Sequence, residues 1–329
     1  MLVGVDGGGT KTAFALVDAD GNVRARHEEG SAYYLEVGMD GVGAMLERGC
    51  HTLFAAAGVG PDDIAQAFFG LPAYGEDRVV LPVLDALPRT ILAHGRYRCG
   101  NDMVCSWAGS LAGADGISVI AGTGSMAYGE YAGKRARAGG WGELFSDEGS
   151  AHWIARAGLA LFSRMSDGRA PRGPLYALVR ERLRLLEDLD LCGVVYGQLK
   201  GERSAVARLA GLVTEAAALG DAQAVAIIDD AAAELAGLVD AVRGALDVEP
   251  EAVVPVSFTG GLVGTQGPLR APLIRALAER RRPYRVAPPL LAPVLGAALY
   301  AARCAGTPLD GAALRRLAEA NHTERTNVA

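Results

Sequence analysis

The residues best suited to chemistry stand near the start of the chain, in a polar loop between two apolar runs. The loop reads Asp6-Gly7-Gly8-Gly9-Thr10-Lys11-Thr12. Successive glycines allow positive φ angles and let neighbouring backbone N–H groups converge on an anion such as a phosphate. A carboxylate at such a loop suits Mg²⁺, which retains several waters and needs only one or two protein carboxylates. The loop therefore predicts a phosphate and metal site, and a tight hairpin that buries an aspartate is the alternative.

A second glycine loop, Gly122-Thr123-Gly124-Ser125, lies farther along the chain. Apolar runs flank it on both sides, over Ile117 to Ala121 and Met126 to Tyr131, so both loops are predicted to be turns of β-hairpins. The repeated layout indicates two related halves that face each other across a cleft. Two such loops could hold one polyphosphate from both sides.

A further carboxylate, Asp102, stands at a predicted corner between a strand and a helix. The extended segment ends at Asn101, and a helix of small residues runs from Met103 to Ala112. Ligands of α/β sheets bind at such corners, at the carboxyl ends of the strands. Aspartate is also a common helix N-cap. The residues alone leave both roles for Asp102 open.

Two more glycine-rich stretches are candidates for ligand contacts. The stretch from Gly139 to Ser150 contains Trp141, Asp147 and Glu148, and an aromatic ring beside acids suits sugar recognition. A glycine-rich connector in which Trp141 merely packs is the alternative. The turn Thr259-Gly260-Gly261-Leu262-Val263 follows a predicted strand. It could present bare backbone to a nucleoside, or simply join a strand to a helix.

The elements that must position these residues follow from hydrophobic periodicity and turn composition. A three-stranded meander is predicted over residues 1–29, followed by a loop over 30–38 and a helix over 41–57. The first half continues with a strand over 64–71, a helix over 76–86 and a short strand over 90–93. Residues 151–246 are predicted to be mostly helical, and strands are predicted over 253–258 and 284–286. This alternation predicts an α/β protein.

Composition narrows the class of protein. A chain of 329 residues favours two domains. The net charge of −6 argues against a nucleic-acid-binding protein, and Arg280-Arg281-Arg282 is interpreted as a solvated helix end. The apolar run from Ala287 to Ala302 contains three prolines and is too short for a membrane span. Five scattered cysteines without a C-x-x-C pair indicate reduced thiols and a cytoplasmic protein.

Taken in order, these motifs resemble the BadF/BadG/BcrA/BcrD ATPase family, and within it the N-acetylglucosamine and glucosamine kinase branch of the actin, Hsp70 and sugar-kinase superfamily. The resemblance spans almost the whole chain. It implies a two-domain, actin-like (ribonuclease H-like) α/β fold with ATP and substrate in the interdomain cleft. The smaller domain would comprise residues 1–114 plus about 296–329, and the larger one residues 115–295. A homodimer is the implied assembly.

The resemblance also implies an activity, the transfer of the γ-phosphoryl group of ATP to a sugar hydroxyl, and a set of roles. Asp102 would be the catalytic base and Asp6 would hold Mg²⁺. The residues implied for ATP are Gly8, Gly9, Thr10, Lys11, Thr12, Gly122, Thr123, Gly124, Ser125, Gly260 and Gly261. Those implied for the sugar are Tyr33, Tyr34, Asp102, Thr123, Met126, Gly140, Trp141 and Asp147.

Two departures from the family pattern leave the acceptor open. Where the kinases commonly carry asparagine, this chain has Tyr33-Tyr34 and Met126, so hydrogen bonds that a hexosamine site would use are lost. An ATPase that activates a dehydratase is one alternative, but it would need a cysteine-held iron–sulfur cluster. A sugar-sensing regulator is another, but it would carry a DNA-binding segment before the first loop.

Overall fold

The computed structural model describes residues 1–264 and 266–327; residues 328–329, at the end of the predicted smaller domain, lie outside the described residues. Two compact units are present. Unit 1 comprises Met1–Asp115 and the chain from Pro288 onward, and unit 2 comprises Gly116–Ala287. The chain returns to unit 1 at Pro288, before the predicted position near residue 296.

The sheet of unit 1 contains five strands. They are β1 (Leu2–Gly7), β2 (Thr12–Val17), β3 (Val23–Glu29), β4 (Gln66–Leu71) and β5 (Tyr97–Asn101). Their spatial order is β3-β2-β1-β4-β5. The first three strands form the predicted antiparallel meander, whereas β1, β4 and β5 run parallel. The first glycine loop therefore joins β1 to β2 at the carboxyl end of β1.

The sheet of unit 2 repeats this plan. Its strands are β6 (Gly116–Ala121), β7 (Ser125–Tyr131), β8 (Lys134–Gly139), β9 (Val254–Thr259) and β10 (Tyr284–Val286). The order is β10-β9-β6-β7-β8, with an antiparallel meander of β6 to β8 and parallel β6, β9 and β10. The predicted internal repeat is confirmed, although the sequence interpretation did not include β8.

Helices make up much of the rest of both units, and some pack on the sheets while others pack on neighbouring helices. In chain order they are α1 (Tyr34–Ala57), α2 (Leu81–Ala86), α3 (Met103–Leu111), α4 (Ala151–Ser166), α5 (Pro174–Arg182), α6 (Asp190–Cys192), α7 (Arg203–Ala207), α8 (Ala210–Ala218), α9 (Ala222–Ala245), α10 (Arg270–Ala278), α11 (Pro293–Cys304) and α12 (Gly311–Asn327). Among the described residues, no helix combines the length and apolar character needed to cross a membrane.

Three local predictions in unit 1 are wrong. The strand predicted over 90–93 is absent, because a 3₁₀ turn occupies Leu87–Thr90 and the Leu92 N–H continues it by donating to the Pro88 carbonyl. The helix predicted over 76–86 begins only at Leu81, after a series of turns. The predicted loop over 30–38 becomes helical at Tyr34, although Gly38 breaks that helix with a φ of 73°.

Helix α11 belongs to unit 1 because its small residues allow close backbone contact. It packs against β1 and α3. A Cβ at Gly296 would overlap the backbone of Gly109 in α3, and a Cβ at Gly4 in β1 would overlap the backbone of α11 at Ala298. The interior here is close-packed, so larger side chains at these glycines would separate the elements. This contact holds β1 and α3, and hence the first loop and Asp102, in one rigid arrangement.

Candidate active site

Two carboxylates of unit 1, Asp6 and Asp102, lie within electrostatic reach of each other. Asp6 is half-buried near the end of β1. Burial is the main cause that raises the pKa of Asp6, to about 8, and the negative charge of Asp102 is the second cause. A hydrogen bond from the Cys105 thiol and the charge of Lys11 act in the opposite direction and lower this pKa. Like charges this close oppose ionisation of both groups unless a cation is present. The pair is therefore suited to a cationic ligand.

Asp102 occupies the predicted corner between β5 and α3. Its backbone N–H donates to the Leu71 carbonyl at 3.3 Å. The Asp102 side chain makes no capping hydrogen bond to α3. Instead, Oδ1 of Asn101 accepts the N–H of Met103 at 3.1 Å. The cap alternative for the Asp102 carboxylate is therefore wrong, because a neighbouring amide performs that function.

The first glycine loop is held by the segment that follows β3. The Gly8 carbonyl accepts the N–H of Ala32 at 3.0 Å. Thr12 is fully buried, and its hydroxyl donates to the Gly30 carbonyl at 2.8 Å. The Thr12 side chain thus supports the base of the loop, so the structure does not present its hydroxyl to a phosphate.

The tip of the same loop faces solvent. Gly9, Thr10 and Lys11 are exposed. The ammonium group of Lys11 lies 2.8 Å from the Glu28 carboxylate, and both side chains are exposed. Exposed ion pairs contribute little free energy. Lys11 can therefore leave Glu28 and bind an anion at small cost in free energy. The backbone N–H groups of the exposed tip are also accessible to an anion.

Tyr33 and Tyr34 lie at the start of α1, next to the segment that holds the first loop. Their rings meet edge to face, with centroids 6.3 Å apart. The Tyr33 N–H donates to the Ser31 hydroxyl at 3.1 Å. Burial, and then the carboxylates of Asp77 and Glu76, raise the pKa of the Tyr34 hydroxyl. Two acidic residues therefore lie near Tyr34.

The second glycine loop rests on the start of α4 in unit 2. The Gly122 carbonyl accepts the Ala151 N–H at 2.9 Å, and the Thr123 carbonyl accepts the His152 N–H at 3.3 Å. The Ser150 hydroxyl caps this helix. These bonds use the first N–H groups of the helix to fix the loop, so anion contacts must come from the loop's own backbone.

Asp147 is engaged within the protein. Its carboxylate is 2% exposed, and Oδ1 accepts the Ser125 N–H at 3.3 Å. Oδ2 forms an ion pair with Arg203, whose guanidinium also lies 3.4 Å from the Glu143 carboxylate. The Ser125 hydroxyl donates to the Glu148 carbonyl at 2.6 Å. The predicted contacts of the Ser125 hydroxyl with phosphate and of Asp147 with sugar would require these bonds to change.

Sequence reasoning did not find Arg203. It lies outside every glycine-rich stretch, and no local pattern links it to Asp147.

His152 was also missed. The imidazole is buried, and among the described residues its Nδ1 has no hydrogen-bond partner. Burial, and then the charge of Arg156, lower the pKa of His152, so the ring adds no positive charge at neutral pH.

Trp141 is exposed rather than packed. Its side chain is 68% exposed, and the Arg137 guanidinium stacks 5.6 Å from the ring centroid. The alternative in which Trp141 only packs is therefore wrong. Next to it, a Cβ at Gly140 would lie 2.5 Å from Cε of Met126. The predicted sugar residues Met126, Gly140 and Trp141 thus lie together in unit 2.

The third glycine turn adjoins the second loop. Gly260 has a φ of 104°, and a Cβ there would overlap the Ala121 carbonyl. The same carbonyl accepts the Leu262 N–H at 3.1 Å. Gly261 has open space around it. The two turns therefore stand side by side at the carboxyl ends of β6 and β9, where α/β sheets bind their ligands.

Comparison with known proteins identifies the family. The model of the BadF/BadG/BcrA/BcrD ATPase family matches residues 3–301. The chain belongs to this family. An N-acetyl-D-glucosamine kinase of Dictyostelium discoideum is 28% identical over 310 residues, covering 92% of this chain and 97% of the relative. An N-acetylmuramic acid/N-acetylglucosamine kinase of Clostridium acetobutylicum is 28% identical over 266 residues, covering 80% and 85%.

Solved structures of related proteins share the fold. The structure of a protein assigned as an N-acetylglucosamine kinase from Chromobacterium violaceum matches with a TM-score of 0.69 and 26% identity, covering 91% of this chain and 97% of that one. The ROK family glucokinase from Streptomyces griseus matches with a TM-score of 0.52 and 17% identity, covering 92% and 98%. The predicted α/β fold of the actin-like sugar kinases is confirmed.

Proposed function

We propose that this ATPase-family protein is a sugar kinase that transfers the γ-phosphoryl group of ATP to a hydroxyl of an amino sugar, with N-acetylglucosamine or glucosamine as the acceptor. Two relatives named as N-acetylglucosamine kinases, each matching at least 80% of the chain, support this activity. The observation that carries the proposal is the position of Asp102. Its carboxylate stands at the end of β5, near Asp6, while Asn101 caps the helix behind it.

Asp102 is assigned as the general base. A base must reach the acceptor hydroxyl and accept its proton as the new phosphate ester bond forms. The corner between β5 and α3 is fixed by the bonds of the Asp102 and Met103 N–H groups to Leu71 and Asn101. A rigid support is required because small displacements of a catalytic group reduce the rate steeply.

The two glycine loops are assigned to the phosphates of ATP. Phosphoryl transfer depends chiefly on positioning and on electrostatic stabilisation of the oxygens that carry the charge. In unit 1 the exposed tip of the first loop offers backbone N–H groups and the charge of Lys11. In unit 2 the second loop is fixed on α4, and the turn at Gly260-Gly261 beside it is assigned to the adenosine.

Asp6 is assigned to Mg²⁺, and the residues around it fit such an ion. The half-buried Asp6 carboxylate has Asp102 as an acidic neighbour. Within the described part of the chain, no group of three or more histidine, cysteine or acidic side chains could hold a metal alone. Mg²⁺ suits such a sparse site, because waters and phosphate oxygens complete its coordination. When bound, it would neutralise charge on the phosphates.

The remaining roles are assigned to the acceptor. Tyr33 and Tyr34 in unit 1, and Met126, Gly140 and Trp141 in unit 2, are the proposed sugar contacts. The exposed indole of Trp141 suits stacking on a sugar ring. The cytoplasmic location indicated by the cysteines and the homodimer implied by the resemblance stay predictions, which cell fractionation and light scattering would test.

A panel of acceptors tests the proposed function. The purified protein is incubated with ATP and MgCl₂ and with one sugar or amino sugar at a time, and ADP release and sugar phosphate are quantified together. We expect N-acetylglucosamine or glucosamine to give one sugar phosphate per ADP. Rapid ADP release without any acceptor, or no sugar phosphate from any member of the panel, would contradict the proposal.

A further inference from the structure

The guanidinium of Arg203 contacts both the second glycine loop and the glycine-rich stretch from Gly139 to Ser150. Arg203 is the first residue of α7. Its Nη2 lies 2.5 Å from Oδ2 of Asp147, and its Nε lies 3.4 Å from Oε2 of Glu143. Both carboxylates belong to the glycine-rich stretch that contains Trp141. Arg203 therefore forms its ion pairs with the segment that is proposed to bind the sugar.

The same ion pair supports the second glycine loop. The other oxygen of Asp147, Oδ1, accepts the Ser125 N–H at 3.3 Å. A Cβ added at Gly124 would overlap Nη2 of Arg203 and lie 3.0 Å from both Asp147 oxygens. The guanidinium and the carboxylate thus lie directly against the backbone of Gly124. A side chain at this position would displace the guanidinium from its place.

The backbone of Asp147 also indicates a fixed position. Its φ is +62°, in the left-handed region, which non-glycine residues adopt uncommonly and aspartate more often than most. Such a conformation persists where surrounding contacts determine it. Here those contacts are the Arg203 guanidinium and the Ser125 N–H. Without Arg203, the Asp147 carboxylate, which is 2% exposed, would lose its positive partner. A buried charge without a partner is strongly destabilising, so we expect the Asp147 side chain to move toward water.

We propose that Arg203 is a positioning residue that sets the second glycine loop and the segment 140–150 together, so that nucleotide binding and acceptor binding depend on one ion pair. The proposal rests on the proposed function for the acceptor, but its nucleotide part needs only the ATP use of the family. Arg203 need not touch either ligand. It acts through Asp147 and Gly124.

Unit 2 contains a second arginine–aspartate pair that serves as a matched control. Arg180 in α5 forms an ion pair with Asp188, which also accepts hydrogen bonds from Ser166 and Tyr176. None of these residues belongs to a glycine loop. Arg180→Ala should therefore destabilise unit 2 without changing ligand affinity.

Arg203→Ala and Arg180→Ala are compared with the parent protein by three measurements. These are the affinity for a fluorescent ADP analogue with MgCl₂, the steady-state KM and kcat for the acceptor, and hydrogen exchange of peptides covering 122–125 and 141–149. We expect Arg203→Ala to accelerate exchange in both peptides and to lower nucleotide affinity about 10-fold, the loss that corresponds to about one hydrogen bond between the displaced loop and the nucleotide. The KM of the acceptor should rise as well, while Arg180→Ala changes none of these.

Chemical rescue separates positioning from loss of folding. Ethylguanidinium at millimolar concentration should restore nucleotide affinity to Arg203→Ala and leave Arg180→Ala unchanged. If Arg203→Ala does not fold, Arg203→Lys, which keeps the charge but not the planar fork, replaces it and should show the same losses in weaker form. Parent-like nucleotide affinity and acceptor KM in the folded variants would overturn the inference. Failure of the proposed kinase activity would instead appear in the parent protein, which would bind nucleotide but phosphorylate no sugar.

Discussion

Oδ1 of Asn101 accepts the backbone N–H of Met103, the first residue of α3, at 3.1 Å. The amide also donates to the Tyr74 carbonyl at 3.1 Å. Asn101 therefore ties the end of β5 to the start of the helix and to a neighbouring turn. The next residue, Asp102, stands between β5 and α3, and its side chain does not cap the helix. This division of work between adjacent residues makes the role of Asp102 testable.

Replacement of the proposed base should affect rate and not folding. Asp102→Asn keeps the size of the side chain and removes the basic carboxylate. Loss of a general base typically costs ~10²–10⁴ in rate, so we expect kcat to fall at least ~10²-fold with a near-parental melting temperature and retained nucleotide binding. A kcat within a few-fold of the parent would exclude Asp102 as the base.

Asn101→Ala is the matched control. It removes the acceptor for the Met103 N–H, which is a capping interaction worth about 1 kcal/mol. We expect a lower melting temperature in thermal denaturation and a much smaller loss of kcat than Asp102→Asn shows. The two variants should thus separate stability from rate, and equal losses of kcat would contradict the assignment.

Acceptor choice is predicted to depend on Tyr33 and Met126, the positions at which the resemblance implies asparagine. Tyr33→Asn combined with Met126→Asn restores two amides that can hydrogen-bond a sugar. We expect the ratio of kcat/KM for N-acetylglucosamine to that for glucosamine to rise, by about 10-fold for one useful hydrogen bond. Nucleotide affinity should not change. An unaltered ratio would show that these two positions do not contact the acceptor.

Two glycines of the second loop should differ in their tolerance of alanine. A Cβ at Gly124 would overlap the Arg203 guanidinium, whereas a Cβ at Gly122 would meet nothing within 4 Å. Overpacking typically costs about 1–3 kcal/mol. We expect Gly124→Ala to lower the free energy of unfolding in urea by this amount and Gly122→Ala to leave it nearly unchanged. Equal stability of the two variants would argue against a fixed Arg203.

The ion pair at Asp188 makes unit 2 sensitive to acid. Hydrogen bonds from Ser166 and Tyr176, together with Arg180, lower the pKa of Asp188 below its ordinary value of 3.8. Because the folded state favours the charged form, the stabilisation is fully present above the ordinary value. It is lost as the pH falls through the lower folded value.

Asp188→Asn should therefore destabilise the protein at pH 7 and have less effect at pH 3, as judged by urea midpoints at both values. Asp167→Asn serves as the control, because Asp167 pairs with its sequence neighbour Arg169 and both side chains are exposed. A destabilisation by Asp188→Asn that is the same at both pH values would show that its charge is not responsible.

Local patterns made the two hairpins and their loops predictable. Alternating apolar residues on both sides of Gly8 and of Gly124 define strands and turns without reference to distant parts of the chain. The pairing of Arg203 with Asp147 could not be predicted, since the partners are 56 residues apart in sequence and no periodic pattern connects them. The exposure of Trp141 depends likewise on packing that composition does not reveal.

The strand expected over 90–93 failed for a different reason. Its apolar letters favour a strand, but Pro88 lacks an N–H and its carbonyl accepts the Leu92 N–H, which closes a turn. The sequence could not show whether Asn101 or Asp102 caps α3, because both residue types are good helix caps. Only the hydrogen bond itself distinguishes them.

The packing of α11 on β1 and α3 has a consequence for how the protein is made. Unit 2 is contiguous in sequence, so all of it has been translated before α11 leaves the ribosome. Until then the faces of β1 and α3 that α11 covers are exposed, and exposed apolar surface attracts other chains. A chain truncated near Ala292 would contain all of unit 2 and a unit 1 that lacks α11, and we expect it to aggregate. Helix α11, which is made after unit 2, is therefore the part of the chain that covers these apolar faces.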